Sequence, residues 1–312
     1  MVLDILGMKE YMGESVERVE INMEDGIKIV GTYYDNPSAK NGVILFPGFT
    51  EHRSSLEEIA KKLNKDFKTW TFDINSQGES SGNWDLRQMQ KSVYAIQDII
   101  RKRHGLAYLG AHGNSIGGMA VGLTAAQDEK ILDCICMTST PAGLQDIVPP
   151  HTREFLSYVP QSFIRFGTIV FDEIESRCNV NYQNKSHAQF LTEKGHQPYA
   201  QFGALKIESI KKLMQWVTNA PRLDDAAGQI KQPALLVYGG EDRLLGIKGG
   251  KLPDQIKKMY DELGSGIKEL FIADGADHGL NKATKMDDCF NQAPEYQFVK
   301  QKIIEHFYKY LL

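Results

Sequence analysis

The sequence predicts an α/β protein: a mostly parallel central sheet flanked by helices on both faces and interrupted by one insertion. Three observations point there. Continuous apolar runs such as Gly42–Phe46, Ile131–Thr138 and Pro233–Tyr238 have the character of strands buried on both faces, and they alternate with stretches of helical periodicity. The apolar run Leu106–Ala111 leads through Gly113-Asn114-Ser115-Ile116-Gly117 into a small-residue, helix-compatible stretch ending at Ala126. The alternation stops after Pro141, and no clean rhythm returns until about residue 206.

In chain order, Val19–Met23 and Ile27–Tyr34 alternate apolar and polar residues around Glu24-Asp25-Gly26, which is a hairpin signal. Gly42–Phe46 makes a third strand, closed by Pro47-Gly48-Phe49-Thr50-Glu51-His52. Ser54–Glu58 carries a capping-box pattern, with Leu56, Ile59, Ala60 and Leu63 on one helical face. Lys68–Ile74 is the next strand, followed by a polar, glycine-containing loop through Gly82. A long amphipathic helix places Leu86, Met89, Val93, Ile96 and Ile100 on one stripe, with basic residues at its end. Later come a helix near Ile207–Val217, strands at Pro233–Tyr238 and Lys268–Ala273, and a closing helix striped by Tyr296, Val299, Ile303, Phe307 and Leu311. The expected organisation is a core of residues 1–142 and 206–312 with a cap at 143–205, whose many aromatics supply its own small core or line an apolar pocket.

Composition narrows the partners. The chain has 312 residues, 42% hydrophobic and 24% charged, which is ordinary for a globular protein. A net charge of -4 implies neither a nucleic acid nor an anionic membrane as partner. No apolar run approaches the roughly 18 residues of a membrane span, and residues 1–10 lack the basic start of a signal peptide. Cys134, Cys136, Cys178 and Cys289 form neither a CxxC nor a zinc spacing. A reducing cytoplasm without structural disulfides is the expectation, and no metal or cofactor is required.

The chemistry centres on Ser115. Gly-x-Ser-x-Gly at a strand-to-helix junction describes a nucleophile elbow, whose sharp turn lifts the hydroxyl above the sheet at a helix N-terminus. A serine capping an ordinary helix would also explain the pentapeptide alone; the downstream partners favour the elbow. A serine nucleophile needs a base, and the base needs an orienting acid. Val237-Tyr238 runs into Gly239-Gly240-Glu241-Asp242, and Phe271-Ile272-Ala273 runs into Asp274 through Gly279. The order Ser115, Asp242, His278 then places all three in loops leaving the carboxyl edge of a parallel sheet. Asp242 also suits plain turn chemistry, and Glu241 is a rival acid. His112 reads as a packed residue, and His52 as a residue lining the site. For the oxyanion, the backbone N–H of Ile116 is one candidate donor, and Phe49, in the loop after Gly42–Phe46, is the best placed second.

Phe46–His52, Asp73–Gly82, the elbow, Gly239–Asp242 and Asp277-His278-Gly279 together resemble the α/β-hydrolase superfamily, and more narrowly its monoacylglycerol lipase and serine aminopeptidase-like esterase branch. The resemblance covers nearly the whole chain outside the cap. It implies the α/β-hydrolase fold, Ser115, Asp242 and His278 as the triad, and Phe49 and Ile116 as oxyanion donors. Two positions depart from the family pattern: Pro47 replaces the histidine before the first glycine, and Ser76–Ser80 lacks one usual glycine. The expected function is hydrolysis of carboxylic esters, of short-to-medium acyl chain or monoacylglycerol-like, through an acyl-enzyme. Phe163, Phe166 and Phe171 are candidates for the acyl pocket. A thioesterase or acyltransferase, a C–C bond hydrolase and a peptidase use the same triad, whereas dehalogenases and epoxide hydrolases of this fold use an aspartate nucleophile. A catalytically idle binding protein on the same fold is the alternative of a different class.

Overall fold

A β-hairpin begins the sheet that carries everything else. Strands β2 (Val16–Asn22) and β3 (Lys28–Tyr34) pair antiparallel, with Val16 opposite Tyr34 and Asn22 opposite Lys28. Gly26 closes their turn at φ +78°, a conformation that favours glycine. The computed structural model describes residues 10–11, 16–49, 51–148, 210–280 and 294–312. A two-residue strand, β1 (Glu10–Tyr11), pairs with the outer edge of β2.

The remaining strands are β4 (Gly42–Phe46), β5 (Lys68–Phe72), β6 (Leu109–Asn114), β7 (Cys134–Thr138), β8 (Ala234–Gly239) and β9 (Lys268–Ala273). The nine described strands form one sheet in the order β1-β2-β3-β5-β4-β6-β7-β8-β9. From β5 to β9 every pairing is parallel, so the carboxyl ends of β4 through β9 share one edge. The crossovers run through helices α1 (Glu57–Leu63), α2 (Leu86–His104), α3 (Ile116–Gln127) and α7 (Asp254–Asp261). Among the described residues, three further helices, α4 (Leu144–Ile147), α5 (Ile210–Asn219) and α6 (Leu223–Ala226), lie between β7 and β8, and α8 (Pro294–Leu311) ends the chain.

The apolar strand runs are explained by two cores, one on each face. Val43 and Leu45 of β4, Cys134 and Cys136 of β7, and Leu235 and Val237 of β8 face α1 and α8, against Ile59, Leu63, Val299, Ile303 and Phe307. The alternate residues Ile44, Phe46, Ile135, Met137 and Leu236 face the opposite core, with Met89, Val93 and Ile96 of α2 and Met119 and Val121 of α3. Period-two alternation into two apolar layers leaves no polar position, hence the continuous runs. Helix α3 is buried almost throughout, from Ile116 to Ala125. The amphipathic α2 starts at Asp85, whose side chain accepts from Arg87 N, and ends at Gly105 in the left-handed conformation. Cys134 and Cys136 are buried and unpaired, and burial pushes both thiols up, so they behave as small hydrophobes.

Some elements differ from expectation for local reasons. Ser54 does not cap a helix. A 3-10 turn, Arg53–Leu56, precedes α1, and its N-cap is His52, whose ring accepts from Ser54 N. Strands β6 and β7 start three residues later than their apolar runs, at Leu109 and Cys134, because Leu106 and Ile131 pack in the approach to the sheet. Helix α7, opened by Pro253 and Asp254 with Ile256 and Met259 on its buried face, and the four-residue α6 were not among the expected elements. Most of the expected cap lies outside the described residues. Its start, Gly143–Val148, includes α4, which packs beside α5: Gln145 Nε2 donates to Thr218 O of α5 at 3.2 Å and, just past that helix, to Ala220 O at 2.8 Å, while Arg222 pairs with Asp146 at 2.9 Å. The described segments that end at Val148 and resume at Ile210 thus lie side by side, between β7 and β8 in the chain. Among the described residues, no helix is long and apolar enough to cross a membrane.

Candidate active site

The elbow shows why this pentapeptide needs its glycines. Ser115 sits between β6 and α3 at φ +51° and ψ −115°, a strained backbone for a residue with a Cβ. Its N–H donates to Thr138 O at 2.8 Å, which ties the turn to the neighbouring strand. A Cβ on Gly113 would lie 2.3 Å from Gly117 O, and one on Gly117 would lie 2.4 Å from Pro47 O. Neither position admits a side chain without moving backbone. Ile116 follows as the first residue of α3, where a backbone N–H has no intrahelical acceptor.

Two other strand ends bring His278 and Asp242 to Ser115. The β8 and β9 loops are laced together: Gly240 N donates to Ala273 O at 2.7 Å and Glu241 N to Ala276 O at 2.8 Å. Ser139, at the end of β7 and itself at φ +47°, donates from Oγ to His278 O at 2.7 Å. His278 Nδ1 lies 2.8 Å from Asp242 Oδ2, and His278 Nε2 lies 3.2 Å from Ser115 Oγ. A carboxylate only accepts, so Nδ1 carries the proton and Nε2 is left to accept from the serine hydroxyl. Asp242 is fully buried, and its second oxygen accepts from Leu245 N at 3.0 Å. The rival acid, Glu241, instead accepts from Gly249 N at 2.8 Å.

The charge balance favours a protonatable His278. Burial opposes the imidazolium, but the Asp242 carboxylate outweighs it by charge and hydrogen bond, with Asp277 and Glu51 acting in the same direction. The net shift is upward from the ordinary value of 6.5. His112 is the opposite case. Its ring is buried in the sheet, Nε2 lies 3.1 Å from Thr138 Oγ1, and burial drives its pKa down to about 3. It is a neutral packed residue.

The loop after β4 meets the elbow directly. A Cβ on Gly48 would lie 3.3 Å from Ser115 Cβ, which brings Phe49 beside Ser115. The Phe49 ring packs on Trp84, with centroids 4.8 Å apart. His52 is held as a cap through Nδ1, which accepts from Ser54 N and lies 2.9 Å from Ser54 Oγ. Phe163, Phe166 and Phe171 lie outside the described residues. A cavity of about 320 Å³ opens between Pro141, Ala142, Leu245, Gly246, Pro253 and Ile256, and none of Ser115, Asp242 and His278 lines it.

Sequence reasoning passed over several supports of this arrangement. Glu51, in the loop after β4, and Asn114, the residue before Ser115, hydrogen-bond to each other at 3.0 Å. Gln77 Nε2 donates to Gly48 O at 3.0 Å. Arg53 is buried against Asp73 and Glu79, which locks the loops after β4 and β5 together. Nothing in the spacing of Arg53, Asp73 and Glu79 along the chain signals that pairing.

The family model described as "Serine aminopeptidase, S33" matches residues 37–283, a span that includes the elbow and the loops of Asp242 and His278. The chain belongs to this family of α/β hydrolases. It is a hydrolase, and its mostly parallel sheet with flanking helices is the fold of that superfamily. An "uncharacterized 31.7 kDa protein in traX-finO intergenic region" of Escherichia coli is 27% identical over 222 residues, covering 68% of this chain and 73% of that protein. Among solved structures, an esterase from Pyrococcus furiosus has a TM-score of 0.60 at 17% identity, covering 96% of this chain and 94% of its own. A membrane phospholipase A, described as a bacterial virulence factor, has a TM-score of 0.65 at 14% identity, covering 94% and 86%. At these identities the likeness is one of fold.

Proposed function

We propose that the protein is a serine hydrolase that cleaves carboxylic esters through an acyl-enzyme, with Ser115 as nucleophile, His278 as base and Asp242 as orienting acid. The observation that carries this reading is the continuous relay from Asp242 to His278 to Ser115, at 2.8 and 3.2 Å, on a strained elbow. Ser115 Oγ attacks the ester carbonyl carbon as its proton passes to His278 Nε2. The carbonyl oxygen becomes an oxyanion, met by the N–H groups of Phe49 and Ile116. Asp242 stabilises the imidazolium, which then protonates the departing alkoxide as the C–O bond breaks. Water repeats the sequence: His278 takes its proton, hydroxide adds to the acyl carbon, and the carboxylic acid leaves as Ser115 regains its hydrogen.

The cap reading extends this. Residues 143–205 are inserted between β7 and β8, after a strand whose carboxyl end borders Ser115, and their phenylalanines suit an apolar acyl chain. The substrate is then a small-molecule ester of short-to-medium acyl chain or a monoacylglycerol. Thioesterase or acyltransferase, C–C hydrolase and peptidase activities need the same relay and are alternative outcomes of the test.

Two measurements test the proposal. A fluorophosphonate probe should label the parent protein and not Ser115→Ala. A turnover panel of p-nitrophenyl esters, monoacylglycerols, thioesters and aminoacyl anilides should show the esters fastest, with Ser115→Ala reduced by orders of magnitude. An unlabelled parent with no turnover would make it a binding protein on a hydrolase fold. A Ser115→Ala variant keeping more than a few per cent of activity would remove Ser115 as nucleophile.

A further inference from the structure

We infer that Glu51 is a positioning residue that ties the oxyanion loop to the nucleophile elbow, an inference that rests on the serine-hydrolase reading above. One Glu51 oxygen accepts from Gly48 N at 2.5 Å, and Asn114 Nδ2 donates to both oxygens at 3.0 Å. Gly48 precedes Phe49, and Asn114 precedes Ser115 and Ile116. A single carboxylate therefore joins the two segments whose N–H groups must converge on one oxyanion.

The bridge is stiff at both ends. Because Asn114 Nδ2 must donate to a carboxylate, its Oδ1 is an acceptor, and it takes Thr138 Oγ1–H at 3.0 Å. Thr138 Oγ1 in turn accepts from buried, neutral His112 at 3.1 Å. On the loop side, Gln77 Nε2 holds Gly48 O at 3.0 Å. The C=O of Gly48 and the N–H of Phe49 share one planar trans peptide and point in opposite directions. Fixing that carbonyl through Gln77, and the preceding N–H through Glu51, fixes where the Phe49 N–H points. Oxyanion donors act only when preorganised in this way.

The charge has a second consequence. Three carboxylates bear on the His278 imidazole: Asp242 from the β8 loop, Asp277 from its own loop, and Glu51 from the β4 loop. An imidazolium forms in the same step as the oxyanion, so the Glu51 charge that would oppose the oxyanion is set against a cation formed alongside it.

Two conservative variants separate reach from charge. Glu51→Asp keeps the charge but withdraws the carboxylate from Gly48 N. Glu51→Gln, with its amide oxygen at the Oε2 position, keeps an acceptor for both Gly48 N and Asn114 Nδ2, loses the contact of Asn114 to the second oxygen, and loses the charge. The assay is kcat and KM for p-nitrophenyl butyrate across pH, with Tm recorded for each protein and Ser115→Ala as control. Glu51→Asp should lose about 100-fold in kcat, the scale of one oxyanion donor, with little change in KM and an unmoved acid limb. Glu51→Gln should keep plateau kcat within about tenfold and move the acid limb to lower pH. A Glu51→Asp protein as fast as the parent, or a Glu51→Gln protein whose limb stays in place, would overturn the inference while the Ser115 reading stands. An active Ser115→Ala would instead overturn the reading beneath it.

Discussion

Replacing Asp242 by Asn tests the relay with almost no change in shape. Asp242 is fully buried; Oδ2 faces His278 Nδ1 at 2.8 Å, and Oδ1 accepts from Leu245 N at 3.0 Å. An asparagine has one acceptor oxygen for these two donors. If the oxygen stays on Leu245 N, the NH₂ faces Nδ1 and the imidazole must carry its proton on Nε2, where it cannot receive one from Ser115. If the amide flips, the NH₂ confronts Leu245 N–H and leaves a buried donor unsatisfied, at about 1–3 kcal/mol. The first orientation therefore dominates, and the wrong tautomer lowers kcat by about 10⁴, or about 5.4 kcal/mol at 1.36 kcal/mol per decade. The variant also removes the main influence raising the imidazole pKa, while burial still lowers it. The assay is kcat/KM for p-nitrophenyl butyrate from pH 5 to 10, alongside circular dichroism and Tm. A folded Asp242→Asn within tenfold of the parent would refute the reasoning and shift attention to another acid.

Three further outcomes follow from the site. Activity needs neutral His278; its raised pKa means the proton is held to higher pH, so the rising limb of kcat/KM in the parent should lie on the alkaline side of 6.5. A limb at or below 6.5 on a substrate with rate-limiting acylation contradicts that charge balance. His112→Ala should lower Tm by opening a cavity in the sheet and leaving Thr138 short of a donor, yet keep kcat within about tenfold, since the ring is packed rather than reacting; loss of activity at unchanged Tm would count against this. Across p-nitrophenyl esters of two to twelve carbons, kcat/KM should climb by up to about fourfold per methylene, from about 0.8 kcal/mol buried, until the pocket is full. Phe→Ala at 163, 166 and 171 should flatten the slope, and a profile that falls from acetyl onward in all four proteins would exclude the cap as the acyl pocket.

The amino-acid pattern alone sets the layered sheet. Residues that alternate into two apolar cores, as in Val43-Ile44-Leu45-Phe46 and Cys134-Ile135-Cys136-Met137, must read as unbroken apolar runs, and helices between them make those strands parallel. It also placed Ser115, Asp242 and His278 in loops at one edge, because the carboxyl ends of parallel strands emerge together. Element boundaries were less legible: the capping pattern at Ser54 gave way to His52, a local hydrogen-bond choice that residue types alone leave open. The folded arrangement selects which groups touch within that edge. It set the relay distances, turned Glu241 toward Gly249 and left Asp242 for His278. It joined Glu51 to Asn114 across 63 residues and Ser139 to His278 across 139. Such contacts leave no periodic trace, because strand order and loop curvature bring the partners together, not their spacing along the chain.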